Sequence, residues 1–296
     1  MPGIYQEIEK KARNFSPSFL TPLAKTFIAY PRFYSQLKTA KKNYRQFHDQ
    51  YPQNILYVAG LPKSGTTWLE KMLGSFRGLS DIMIPEAVAY EQKYKQSHGF
   101  EFPDNLFQQF NKALVILKLH AHGSLHNFNL LQKNNLNYVV LYRDLRDVAV
   151  SHIFYVQRTA YHPEYKIYKN LSIKHALLHF GNSLLPEYVK WVNGWHQHKG
   201  SANSYILRYE DLIINTTEKF SEVVNHFRIN ATASEIQNII KKNSFENLSG
   251  GRNKGVDDNK SFFRKGTAGD WKNYFDEEIN ALYNQHLELF NKKYGY

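Results

Sequence analysis

The stretch Ile55-Leu56-Tyr57-Val58-Ala59-Gly60-Leu61-Pro62-Lys63-Ser64-Gly65-Thr66-Thr67-Trp68 decides the fold. Its first five residues form an unbroken apolar run, the pattern of a strand buried on both faces. A glycine-bounded loop follows, and Thr66-Thr67-Trp68-Leu69 opens a helix. Strand, loop and helix start in that order make a phosphate cradle. The loop's backbone N–H groups and the positive end of the helix converge on an anion. The nucleoside-triphosphate version of this loop has four residues between its glycines and then Gly-Lys-Ser/Thr. Gly60 and Gly65 keep the gap, but Thr66 and Thr67 follow, and the lysine lies inside the loop at position 63. A lysine there can lie over the group being transferred, and without the Lys-Ser/Thr pair the case for bound magnesium weakens.

Outward from this stretch, apolar runs end at His120 (Ala113 to Leu119), at Arg143 (Tyr138 to Tyr142) and at Glu210 (Tyr205 to Tyr209), with amphipathic patterns between them. The alternation predicts an α/β fold of P-loop nucleotide-binding type, with a central, mostly parallel sheet flanked by helices and a site at the strands' C-terminal ends. The last third reads as helical. Asn215-Thr216-Thr217-Glu218 caps a helix through Val223, Val224 and Phe227, and Asp276-Glu277-Glu278 begins a terminal one through Leu282, Leu287 and Phe290. Ser249-Gly250-Gly251 begins a glycine-rich polar segment, expected to be a mobile lid over residues 249–263. The whole chain, 1–296, is expected to be one domain.

Composition narrows the partners. The sequence contains no cysteine, which excludes a disulfide framework, a thiolate metal site and a cysteine nucleophile. A formal charge of +12 implies an anionic partner. The basic residues are dispersed, and the densest cluster, Lys38 to Arg45, reads as a solvated helix face with no nucleic-acid-binding signature beside it. Met1 to Glu9 has neither a basic leader nor an apolar core, and no later stretch approaches a membrane span, so a soluble cytoplasmic protein is expected.

Each strand end delivers polar residues to one sheet edge: Lys63 and Ser64, Lys118 and His120, Arg143, and Tyr209. Three segments carry a resemblance. Pro62 to Trp68 resembles the 5′-phosphosulfate loop of the cytosolic-type sulfotransferases, which use 3′-phosphoadenosine 5′-phosphosulfate (PAPS). Arg143-Asp144-Leu145-Arg146-Asp147-Val148-Ala149-Val150-Ser151 is similar to their 3′-phosphate motif, and Arg264-Lys265-Gly266-Thr267-Ala268-Gly269-Asp270-Trp271-Lys272-Asn273 to their C-terminal signature. They occur in family order over about two hundred residues.

The resemblance implies roles. Lys63 would neutralise the oxygen between phosphate and sulfate as that bond breaks, while Ser64, Gly65, Thr66 and Thr67 hold the 5′-phosphate. Arg143, Ser151, Arg264, Lys265 and Gly266 would bind the 3′-phosphate, and Trp68, Tyr209 and Phe245 would stack on adenine. His120 would be the general base and Lys118 would assist across the sulfuryl group, with Ser151 beside them and no metal. The acceptor would be the hydroxyl, or an amine, of a small hydrophobic or aromatic molecule, with Tyr90, Tyr94, Phe100, Phe102, Phe107, Phe154, Tyr155, Phe262 and Phe263 as candidate walls. A P-loop kinase and a non-catalytic nucleotide- or nucleic-acid-binding protein are the rival readings. The first lacks the Lys-Ser/Thr pair and has no use for a 3′-phosphate site, and the second needs no base. Departures from the family pattern are Leu61 for tyrosine, Asp144 for asparagine, Asn243 for a threonine near adenine, and Asp276, Glu277 and Ala281 where a dimer contact is usual.

Overall fold

The computed structural model describes residues 21–258 and 261–296, with side chains from residue 27 onward. Met1 to Glu9, on which the leader reading rests, and Asn259 and Lys260 of the expected lid lie outside the described residues. A long helix, α1 (Thr21–Phe47), leads into β1 (Ile55–Gly60) and α2 (Thr66–Leu73), then β2 (Ser80–Asp81) and α3 (Pro85–Tyr94). Next come β3 (Val115–Leu119), α4 (Leu125–Lys133), β4 (Tyr138–Tyr142), α5 (Leu145–Gln157), α6 (Tyr165–Tyr168) and α7 (Ile173–His196). The chain closes with β5 (Ser204–Arg208), α8 (Tyr209–Ile214), α9 (Thr216–His226), α10 (Ala233–Lys242), α11 (Phe245–Ser249) and α12 (Glu277–Tyr294).

All five strands run parallel, in the order β2-β3-β1-β4-β5. Alternate residues of the apolar runs feed opposite helical layers. Tyr57, Leu117, Tyr138 and Val140 pack with Ile153, Trp191, Trp195 and Tyr283, whereas Leu56, Val58, Ile116, Val139 and Leu141 pack with Leu69, Met72, Phe220 and Val224. Two covered faces explain the unbroken hydrophobicity of these strands. With β1 central, the chain continues to β3 on one side and to β4 on the other, and this divergence opens a crevice over the C-terminal ends.

Two expectations change. β5 ends at Arg208 rather than Tyr209, because Glu210 and Asp211 start a helix in which the Arg208 guanidinium closes on Asp211 at 2.7 Å. β2, two residues at the sheet edge, has no apolar run to announce it. The terminal helix forms as read, with Asp276 accepting the Ile279 N–H at 3.0 Å and pairing with Lys174 at 2.7 Å. Where the family pattern has a dimer contact, Asp276 is thus an intramolecular cap. No helix among the described residues is long and apolar enough to cross a membrane.

Candidate active site

The loop after β1 turns sharply, with Lys63 at φ 66° and Gly65 at φ 81°, both left-handed. At Gly65 a side chain is excluded twice over: by that φ, and because a Cβ would stand 2.6 Å from the Tyr209 ring. Gly266 is held alike, its absent Cβ facing the Phe245 ring at 2.3 Å. Two bare backbone turns, each covered by an aromatic ring, therefore face one cavity of about 390 Å³ lined by Lys63, Thr66, Thr67, Trp68, Ser151, Tyr209, Phe245, Arg264, Lys265 and Gly266. The Trp68 indole N–H is fixed to the Asn243 carbonyl at 2.8 Å. The Asn243 side-chain amide donates to Ile239 O and Ser75 Oγ, which spends it on the fold.

Arg143 leaves the end of β4 almost fully buried. Its Nη2 donates to Asp147 at 3.0 Å and to the Thr267 carbonyl at 2.8 Å, and its guanidinium lies 4.5 Å from the Tyr209 ring centre. Asp147 also accepts the backbone N–H groups of Gly269, at 2.7 Å, and Trp271, at 3.0 Å. One buried carboxylate thus staples the C-terminal signature to α5. Asp270 does the corresponding work within the signature, accepting from Arg264 and, at 2.5 Å, from Lys265. The Asp144 carboxylate is turned to Arg146 at 2.7 Å and caps α5 through the Arg146 N–H. Asp147→Asn keeps the shape but takes from buried Arg143 the carboxylate it donates to, so unfolding free energy is expected to fall by about 3 kcal/mol. Urea denaturation with an unchanged m-value checks this.

The electrostatics differ sharply between neighbours. Lys63 Nζ stands 3.9 Å from the Tyr155 ring centre and 5.0 Å from that of Phe262. Burial, followed by the cations Arg158, Arg143 and Arg264, pushes its ammonium down to about 7. His120 is brought down to about 4 by burial, with the positive charges of Lys118 and Lys63 adding to the effect against a bond to Gly60. Its Nδ1 faces the Gly60 carbonyl, which can only accept, so Nδ1 carries the proton and Nε2 presents the lone pair. Trp191 and Trp195 donate to the carbonyls of His120 and Ala121 and hold this strand end. Lys118 lines the same cavity with its ammonium 2.8 Å from Glu70. Ser64 Oγ and Arg143 Nε are buried and have no hydrogen-bond partner among the described residues. Both can donate, as an anion's pocket requires.

A model of the sulfotransferase domain matches residues 53–295. The chain belongs to the sulfotransferase family. Mouse sulfotransferase 1E1 is 23% identical over 251 residues, covering 79% of this chain and 82% of its own. Among solved structures, mouse sulfotransferase SULT7A1 complexed with PAP shares the fold with a TM-score of 0.59 at 17% identity, over 87% of this chain and 95% of its own. Retinol dehydratase in complex with androsterone and the inactive cofactor PAP does so at 0.59 and 18%, over 85% and 86%.

In this sulfotransferase the far end of the cavity differs from the sequence expectation. Of the nine aromatic residues expected to wall the acceptor, only Tyr155, Phe262 and Phe263 line it. Phe100, Phe102 and Phe107 belong to the core, Tyr90 pairs with Tyr94, and Phe154 lies under the Arg264 guanidinium. The lining there is instead rich in ionisable groups: Glu91, Lys95, His98, His152, His162 and Glu164. His152 Nε2 is 3.2 Å from Glu164, and burial brings His98 down to about 4. Sequence reading missed these residues, since they come from α3, α5 and the turns beyond them and share no motif. Arg158 was missed as well. Its only signal was its place one turn beyond Phe154 and Tyr155.

Proposed function

We propose that the protein transfers a sulfuryl group from PAPS to the hydroxyl, or an amine, of a small molecule. What carries the reading is the set of donors around the two ring-covered glycine turns: Lys63, Arg143, Arg264 and Lys265, with the unpartnered Ser64 Oγ and Arg143 Nε. PAPS would supply an activated sulfuryl group. Ser64, Gly65, Thr66 and Thr67 would hold its 5′-phosphate, and Arg143, Ser151, Arg264, Lys265 and Gly266 its 3′-phosphate, with Trp68, Tyr209 and Phe245 about the adenine. His120 Nε2 would take the acceptor's proton as the acceptor oxygen bonds to sulfur and the sulfur–phosphate oxygen bond breaks in line, with adenosine 3′,5′-bisphosphate leaving. Lys63 would meet the negative charge that grows on the leaving oxygen. We favour an acceptor whose flat or apolar part rests on Tyr155, Phe262 and Phe263 and whose polar part reaches Glu164 and His152. The segment 249–263, which Arg252 ties to the carbonyls of Val256 and Arg264, would close as the lid.

Arg264→Ala separates this reading from its rivals. Its affinity for adenosine 3′,5′-bisphosphate is expected to weaken by about 2 to 4 kcal/mol, the worth of a lost charge-assisted contact, while AMP binding hardly changes. Calorimetry with both ligands, and with ATP with and without magnesium, is the measurement. Equal losses for both nucleotides would remove Arg264 from the 3′-phosphate site, and tighter magnesium-dependent ATP binding would favour a kinase.

A further inference from the structure

The outward face of α1 carries two kinds of exposed residue in sequence. Phe27, Tyr30 and Tyr34 are 77%, 44% and 63% exposed. Lys38, Lys41, Lys42 and Arg45 continue as exposed residues toward the helix's end. At about 100° per residue, these seven positions fall within a single arc of about 120° and run along about 27 Å of axis. They form one stripe, aromatic in its first half and cationic in its second. The opposite face is fastened to the fold. Phe33 and Ala40 are buried, Gln36 accepts the Met83 N–H at 3.0 Å, and Asn43 donates to the Gly78 carbonyl at 3.0 Å. The stripe is therefore held outward rather than turned in by the helix's own packing.

We infer that this stripe docks on an anionic lipid bilayer surface. Amphipathic rings prefer the boundary between headgroups and acyl chains, and lysine and arginine at the same level meet lipid phosphates through long flexible stems. Four cations on one half of the stripe complement a negatively charged leaflet. Segregation along the axis also distinguishes the partner. A single-stranded nucleic acid is held by rings interleaved with cations, so that each base and its phosphate are met together. Here the rings and the cations occupy separate halves.

The test is co-sedimentation of the full chain with vesicles of phosphatidylcholine alone and of phosphatidylcholine mixed with phosphatidylserine. Stronger uptake by the mixed vesicles is expected, weakening as salt is raised. Phe27→Ser with Tyr34→Ser, and separately Lys41→Glu with Lys42→Glu, should each lower that uptake by about tenfold or more. All four positions are exposed and outside the nucleotide cavity, so melting temperature and adenosine 3′,5′-bisphosphate affinity should match the wild type in both variants. A variant that melts early would be replaced by Tyr30→Ser or Arg45→Glu, which lie on the same stripe. Equal uptake by the two vesicle types, no uptake, or undiminished uptake by both variants overturns the inference. So does retention on immobilised poly(U) without vesicle binding, or self-association that the ring variant abolishes.

Discussion

His120→Ala is expected to lower kcat by about 10²-fold or more on a verified acceptor, with adenosine 3′,5′-bisphosphate affinity unchanged. The reason is local. Nδ1 is held by the Gly60 carbonyl and burial keeps the ring neutral, so Nε2 is available to take a proton at ordinary pH. A neutral imidazole is the active form, so kcat/KM should fall with acid only as pH approaches about 4, where the ring gains its proton. His122→Ala should leave kcat close to wild type, since that side chain does not line the cavity. Reversal of the two outcomes, or an acid limb near the ordinary histidine value, would remove His120 as the base.

Lys63→Met is expected to cost about 10² to 10³ in kcat/KM, the range found when a donor aimed at developing charge is removed. A second readout comes from protonation. With its ammonium lowered to about 7 in the free protein, Lys63 is largely neutral at pH 8, whereas a bound phosphosulfate favours the charged form. Binding should therefore take up a proton above pH 7, and donor affinity should decline as pH rises past that point. Below it the lysine is already charged and the dependence should vanish. Calorimetry in buffers of different ionisation enthalpy measures the uptake directly. Lys63→Arg, charged throughout, should flatten the decline, and proton uptake persisting in Lys63→Met would assign the effect to another group.

The parts of the molecule that were legible in the sequence are those where one requirement acts alone. A strand covered on both faces must be apolar throughout, so β1, β3 and β4 could be read directly from the chain. The loop after β1 needs a glycine at position 65, where φ is 81° and a Cβ would meet the Tyr209 ring. The far end of the cavity obeys no such rule. His98, His152 and Glu164 meet only because α3, α5 and the turn before α6 converge, and an aromatic count over the same stretches chose core residues such as Phe102 and Phe107. Asp147 pairs with Arg143 one helical turn away, but its second function, gathering the N–H groups of Gly269 and Trp271 from 122 and 124 residues away, leaves no trace in local pattern.

The bond between His120 and Gly60 has a geometric meaning of its own. It joins the ring proposed as the proton acceptor, one residue beyond β3, to Gly60 at the end of β1, and these two strands are paired with Ala59 opposite Leu119. On the proposed chemistry, the separation of base and loop is consequently ruled by the interval between neighbouring strands, about 4.8 Å, which hydrogen bonding sets for any sheet. Insertions or altered side chains in the helices can reshape which molecule enters without touching that ruler. On that reading, acceptor range and reaction geometry would be built on different parts of the chain and could drift independently.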